Sequence, residues 1–265
     1  MVTKKNAYWK ELLLLIFNQG GFKFINPSKL KYWFAYAFGL VGPHFFQAMN
    51  VFGKSKNKIF TPNKEGFEIM EKAFSQYDLS EFDLITCGER RDWPFGTILS
   101  WMWKIPCAHI TKNGAWIGDE QMDLSSFQKI LHVGDLNNNG KSLREWNQYV
   151  QNAGALGIDE ALFLFDRDEG GKKVAEELGI VLHTMVDLDG ESWKFLRDNN
   201  LISQEIYEEV KSYWEDRYAW GLKKLLAHPE DLRTTPEDKK QKIFKIFEEY
   251  SPGFTQEINE KLQIN

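Results

Sequence analysis

Cysteine is scarce in this chain of 265 residues, which has only Cys87 and Cys107. Both lie inside short apolar runs. They read as buried, reduced thiols, not as a disulfide framework or a metal site. Histidine is scarce as well. His44, His109, His132, His183 and His228 are far apart in the chain, so no zinc-ligand spacing is present. Positive charge is not in excess: the net charge is −5, which excludes the broad basic field of a nucleic-acid binder. Long apolar runs are missing too. Residues 12–17 are apolar, but a bilayer-spanning helix needs about 20 such residues, and no small-residue cleavage pattern follows the run. No Walker loop and no nucleophile elbow occurs. A cytoplasmic protein with neither a membrane nor a nucleic-acid partner is expected.

Aromatic residues are plentiful, at 15% with 10 Trp. They supply large buried area and flat faces on which a ring can stack. Their distribution divides the chain. Residues 7–18 have the periodicity of a helix, stopped by Gly20 and Gly21. Residues 22–60 are aromatic and irregular, and helical periodicity returns at 64–76. Short apolar runs then follow at 82–87, 106–111, 129–133, 161–165 and 181–186, with helix-like stretches at 94–103, 142–153 and 170–178. Short apolar runs alternating with helices predict an α/β fold whose mostly parallel sheet is covered by helices on both faces. In such a sheet, ligands bind at the carboxyl ends of the strands. From 191 onward the chain reads as helical, over 191–199, 203–226, 236–250 and 254–263.

The stretch that carries chemistry is Ile130-Leu-His-Val-Gly-Asp135-Leu-Asn-Asn-Asn-Gly140-Lys-Ser142. A buried strand ends in an acidic residue, a small polar loop with Gly follows, and a helix begins. Backbone N–H groups that converge at a helix N-terminus suit a phosphate. Asp135 stands where a carboxylate accepts hydrogen bonds from sugar hydroxyls. A second charged loop, Glu89-Arg90-Arg91-Asp92-Trp93-Pro94, follows the run at 82–87, and a third, Asp166-Arg167-Asp168-Glu169-Gly170-Gly171, follows the run at 161–165.

These segments together resemble the type I phosphoribosyltransferases, and the orotate phosphoribosyltransferases most of all, over roughly residues 10–215. The resemblance implies a parallel sheet flanked by helices, with an N-terminal hood over residues 1–60 and a core over 64–190 in a domain spanning 1–217. Residues 218–265 would be a helical C-terminal extension. It further implies phosphoribosyl pyrophosphate (PRPP) and an orotate-like nucleobase as substrates, Mg²⁺ as cofactor and a homodimer. Carried over residue by residue, Asp135 takes the second acidic position of the PRPP signature and is the residue expected to meet Mg²⁺ if any side chain does. Asn138, Asn139, Gly140, Lys141 and Ser142 form the 5′-phosphate loop. Glu89, Arg90 and Arg91 face pyrophosphate, and Arg167 faces the base. Lys29, Trp33 and Phe34 belong to the aromatic hood that contacts the base. Lys112 matches one basic position of the mobile catalytic loop, whose cation stabilises the departing pyrophosphate.

The departures are specific. Gly134 stands at the first acidic position, and Asn138-Asn139 replaces Thr-Thr. Asp92 replaces a glycine, and it repels pyrophosphate unless it helps place Mg²⁺. The loop around Lys112 has no second Lys or His and carries Asp119 and Glu120. Two functions therefore stay open: a phosphoribosyltransferase, and a regulatory module that binds PRPP or a nucleotide without turnover.

Overall fold

The computed structural model describes residues 5–26, 28, 31–56, 59–117 and 122–264. Contacts divide the chain into two compact units, residues 1–21 with 48–192 and residues 22–47 with 193–265.

The first unit holds α1 (Trp9–Asn18), α2 (Lys64–Phe74) and a five-stranded sheet. Its strands are β1 (Leu84–Cys87), β2 (Cys107–His109), β3 (Ile130–Asn137), β4 (Glu160–Asp166) and β5 (Val181–Asp187). All pair in parallel, in the order β5-β4-β3-β1-β2. The connections carry α3 (Trp93–Trp103) after β1, α4 (Lys141–Asn152) after β3 and α5 (Gly171–Glu177) after β4. The strands are apolar runs because both faces are covered. On one face Leu84, Ala161 and Phe163 pack with Leu143, Trp146 and Val150 of α4. These three α4 residues recur at the spacing of a single helix stripe. On the other face α3 packs against β1, β2 and β3, and α1 packs along β5.

The order of the strands sets the position of any ligand. From β1 the chain goes to β2 on one side, and then returns to β3 on the other side of β1. The crevice at the carboxyl ends of β1 and β3 is thus the topological switch point, where open α/β sheets bind ligands.

The second unit combines antiparallel pairs (Phe22–Phe24 with His44–Phe46, and Phe34–Ala35 with Val41–Gly42) with most of α6 (Gly190–Asp198) and with helices α7 (Gln204–Glu215), α8 (Arg217–Ala227), α9 (Glu237–Tyr250) and α10 (Phe254–Ile264). Its core includes Trp33, Tyr36, Tyr213, Trp220 and Phe247. The buried Asp231 carboxylate accepts hydrogen bonds from the N–H groups of Tyr32 (3.0 Å) and Trp33 (3.3 Å) and pairs with Lys31 at 3.5 Å. These contacts bind the 31–36 segment to the C-terminal helices. By these contacts the chain divides after Ser192, and residues 22–47 group with residues 193–265. The helix expected over 203–226 is broken at Asp216. Its backbone is extended, at φ −153°, and its carboxylate caps α8 by accepting from the N–H groups of Tyr218 and Ala219. Among the described residues, no helix is long and apolar enough to cross a membrane.

Candidate functional site

Two loops meet at the switch point. Asp92, at the N-terminus of α3, and Asp135, near the end of β3, are both buried. The Asp92 Oδ1 accepts a hydrogen bond from the Asp135 N–H at 2.7 Å. Arg91 Nε lies 3.5 Å from Asp135 Oδ2, with its own side chain 64% exposed. Burial pushes both carboxyls above the ordinary carboxylate range. The charge of Asp135 raises Asp92 further, whereas the Arg91 guanidinium opposes the rise at Asp135. The sequence suggests Asp92 only as a repulsive or metal-placing group; its seat against Asp135, 43 residues away, is a property of the fold.

Neighbouring residues on a strand point to opposite faces. The side chain of Asp135 projects toward the α3 face, so position 134 projects toward α4 and α5. There it meets Phe163, the residue paired with Gly134 on β4. An ideal Cβ at Gly134 would sit 2.2 Å from the Phe163 ring. An acidic side chain has no room at the first position of the signature.

The loop after β3 runs onto α4. Gly140 adopts φ +73°, and Asn139 Oδ1 accepts from Lys141 N–H at 3.2 Å. The Gly140 carbonyl accepts from Arg144 N–H at 3.0 Å. Helix α4 has no side-chain N-cap and no acidic residue in its first turn. Among the described residues, the N–H groups of Ser142 and Leu143 make no hydrogen bond. The positive end of the α4 dipole is therefore available to an anion. Lys141 and Ser142 are exposed, while Asn138 and Asn139 are half-buried. The Asn138 Oδ1 is buried without a hydrogen-bond partner among the described residues.

The pyrophosphate candidates behave differently from one another. Arg90 is in a left-handed conformation (φ +45°), and its side chain is 82% exposed beside Glu89. Glu89 Oε2 accepts from Lys112 N–H at 2.8 Å. Lys112 sits in a tight turn closed by Gly114 N–H to Thr111 C=O at 2.9 Å, with an antiparallel bridge between Ile110 and Trp116. The Lys112 carbonyl accepts from the Tyr149 hydroxyl at 3.2 Å. Glu89 and Tyr149 hold the backbone of this turn, and the Lys112 side chain is exposed. Asp119 and Glu120 lie outside the described residues.

The base candidates fall in both units: Arg167 in the first, Trp33 and Phe34 in the second. Arg167 is buried and ion-paired with Glu169 at 3.1 Å, directly after the buried Asp166 that ends β4. Burial pushes Asp166 up to about 6, opposed by hydrogen bonds from Asp168 N–H and from Asn137. Trp33 is fully buried in the core of the second unit, and its Nε1–H donates to the His228 carbonyl at 3.1 Å. Its faces are used for packing and offer no platform for a base. Phe34 lies in the same unit and is half-buried. Lys29 lies outside the described residues.

The structure also gathers residues that the sequence leaves apart. Cys87 is buried, but Cys107 is only half-buried, contrary to the expectation of two inert core thiols. Their sulfurs are 3.6 Å apart, and Cys107 Sγ lies 3.6 Å from His109 Nε2. The scattered histidines suggest no metal site, yet one of them joins both cysteines across the paired strands β1 and β2.

No family model matches the chain. No curated protein matches it. Solved structures do. A UMP synthase from Leishmania donovani superposes with a TM-score of 0.60 at 17% identity, over 78% of this chain and 42% of that one. The present chain thus spans less than half the length of that relative. Orotate phosphoribosyltransferases from Aeropyrum pernix and Francisella tularensis each give a TM-score of 0.54, at 14% and 15% identity. They match 71% and 77% of this chain and 99% and 98% of their own lengths. This likeness establishes the fold, a type I phosphoribosyltransferase-like parallel sheet flanked by helices.

Proposed function

We propose that this chain binds PRPP at the crevice between β1 and β3 and transfers its phosphoribosyl group to a nucleobase of the orotate type. The observation that carries this reading is the pairing of Asp135 with a phosphate-suited loop. A buried carboxylate and the open N-terminus of α4, reached by residues 138–142, lie on one strand–loop–helix connection at the switch point. Asp135 accepts hydrogen bonds from the ribose hydroxyls, and the N–H groups of Ser142 and Leu143 receive the 5′-phosphate. The bond from the anomeric carbon to pyrophosphate breaks, and a ring nitrogen of the base gives its electron pair to that carbon and its proton to solvent. Pyrophosphate leaves with the bonding electron pair. The exposed cations Arg90, Arg91 and Lys112 lie on the two loops beside the crevice and offset the charge that grows on it.

The residues present fit Mg²⁺. Asp92 and Asp135 are hard oxygen donors, buried side by side, and a divalent cation favours their ionised forms. When bound there, Mg²⁺ supplies charge neutralisation of pyrophosphate and ribose oxygens. The protein's own part is orientation and exclusion of water. A cytoplasmic homodimer belongs to the same proposal and rests on the likeness to the phosphoribosyltransferase fold.

A second reading, a module that binds PRPP or a nucleotide without turnover, is favoured by one observation. Arg167 is held in a buried pair with Glu169, so it must exchange partners before it can meet a base. Isothermal titration with PRPP and Mg²⁺, repeated with orotate and followed for pyrophosphate release, separates the two. Binding with release supports transfer. Binding without release supports the module. Absence of PRPP binding overturns transfer, and absence of binding by both PRPP and a nucleoside monophosphate overturns the module as well.

A further inference from the structure

We infer that Cys87, Cys107 and His109 form a three-ligand site for a thiophilic divalent cation of the zinc class, between the carboxyl end of β1 and the paired strand β2. The inference stands on distances and packing and is independent of the function proposed above. Zinc bound tetrahedrally, with sulfur at about 2.3 Å and imidazole nitrogen at about 2.0–2.1 Å, places its ligand atoms about 3.8 Å apart for two sulfurs and about 3.6 Å apart for sulfur and nitrogen. The observed Cys87–Cys107 and Cys107–His109 separations are both 3.6 Å, and all three ligand atoms lie within 4.8 Å of one another. The protein thus already has two edges of the tetrahedron at the required length.

The packing makes room for the sulfurs. An ideal Cβ at Gly96 of α3 would fall 1.8 Å from Cys87 Sγ and 3.5 Å from Cys107 Sγ. Any side chain there would displace the sulfurs. Cys87 is fully enclosed, whereas Cys107 and His109 are half-buried, so an ion can enter from their side and keep a fourth position for water or another ligand. Two thiolates and an imidazole select zinc over magnesium or calcium, which prefer oxygen. As the ion binds, the thiols release their protons to solvent.

The site would tie β1 to β2 just before the chain enters the Glu89–Asp92 loop and the Lys112 turn. Thr97 Oγ1, 3.3 Å from His109 Nε2, is the hydrogen-bond partner that the ion replaces.

The test uses the full chain, purified under reducing conditions and stripped of metal, and titrated with Co²⁺. Tetrahedral cobalt bound by thiolates gives intense visible bands with sulfur-to-cobalt charge transfer. The expected result is saturation at one equivalent, followed by loss of the bands when Zn²⁺ is added. His109→Ala and Cys107→Ser alter surface-accessible ligands and should each remove stoichiometric binding while circular dichroism stays native. Absence of thiolate–cobalt bands in the reduced, folded wild type overturns the site. So does unchanged binding in both variants. Rapid conversion to a Cys87–Cys107 disulfide in air, with no metal uptake by the reduced form, overturns it in favour of a redox pair.

Discussion

The ring of Phe163 fills the space that a side chain at Gly134 would require, with an ideal Cβ placed 2.2 Å from it. The glycine at the first acidic position of the PRPP signature is therefore tied to its neighbour on β4. Gly134→Ala is expected to destabilise the fold by about 1–3 kcal/mol through overpacking. In the Phe163→Ala background the same change should cost much less. Urea unfolding of the two single variants and the double variant measures the coupling, and additive costs would sink the explanation.

Asp135→Asn should weaken PRPP binding by roughly tenfold or more, the worth of a hydrogen bond to a charged group. The fold should survive, since the backbone N–H that bonds Asp92 is untouched. Titration calorimetry checks it, and equal affinity removes Asp135 from the site.

Asp92→Asn keeps an oxygen to accept the Asp135 N–H and removes a buried charge. Burial raises the native pKa of Asp92 above its unfolded value. The native state thus holds its proton more tightly, and stability from this group is lost as pH rises through the native pKa. The variant should be more stable than wild type near neutral pH, and the advantage should shrink as pH falls. Denaturation midpoints across pH test this, and a less stable variant at neutral pH contradicts it.

His132 works in the opposite sense. It is fully buried, its Nδ1 lies 3.1 Å from Thr86 Oγ1, and burial lowers its pKa to about 3. Below an ordinary pKa of about 6.5 the unfolded chain takes a proton that the native chain refuses, so stability falls from there down toward the native pKa. Between about pH 7 and about pH 5 this group alone should remove about 2 kcal/mol. Asp166 and the Asp92–Asp135 pair shift the other way, so the comparison must be with His132→Gln. The difference in unfolding free energy between wild type and variant should narrow on acidification by that amount. A constant difference would be evidence against a neutral buried imidazole.

In the metal-free chain, Cys87 keeps its proton because burial pushes its thiol up, and it donates to Cys107. That hydrogen bond, with help from His109, holds Cys107 down at about 6. Iodoacetamide should label Cys107 with a pH midpoint about 2–3 units below that of an ordinary thiol, and should spare Cys87. Peptide mass spectrometry reads both sites. A midpoint in the ordinary thiol range would show that the Cys87 bond is not made.

The five-stranded sheet was legible because parallel strands covered on both faces produce unbroken apolar runs: the 161–165 run falls within β4, and the 129–133 run overlaps the first half of β3. The Asp135 loop was legible because strand, acid, glycine and helix follow one another directly. What stayed hidden lies across the sheet. Asp92 meets Asp135, Phe163 blocks Gly134, and His109 joins two cysteines only after the strands take their register. The 22–47 segment was hidden for another reason. Its strands are only two or three residues long, too short to show a period, and its partners lie near the other end of the chain.

The grip of Glu89 on the backbone of Lys112 has a consequence for assembly. A lysine that serves a neighbouring subunit needs slack to cross between them, but this one is fastened to a loop of its own chain. Each crevice would then be complete in its cation within one polypeptide. In the homodimeric transferase proposed above, mixing a Lys112 variant with an Asp135 variant would restore no activity through hybrid pairs, and one defective copy would leave its companion fully competent.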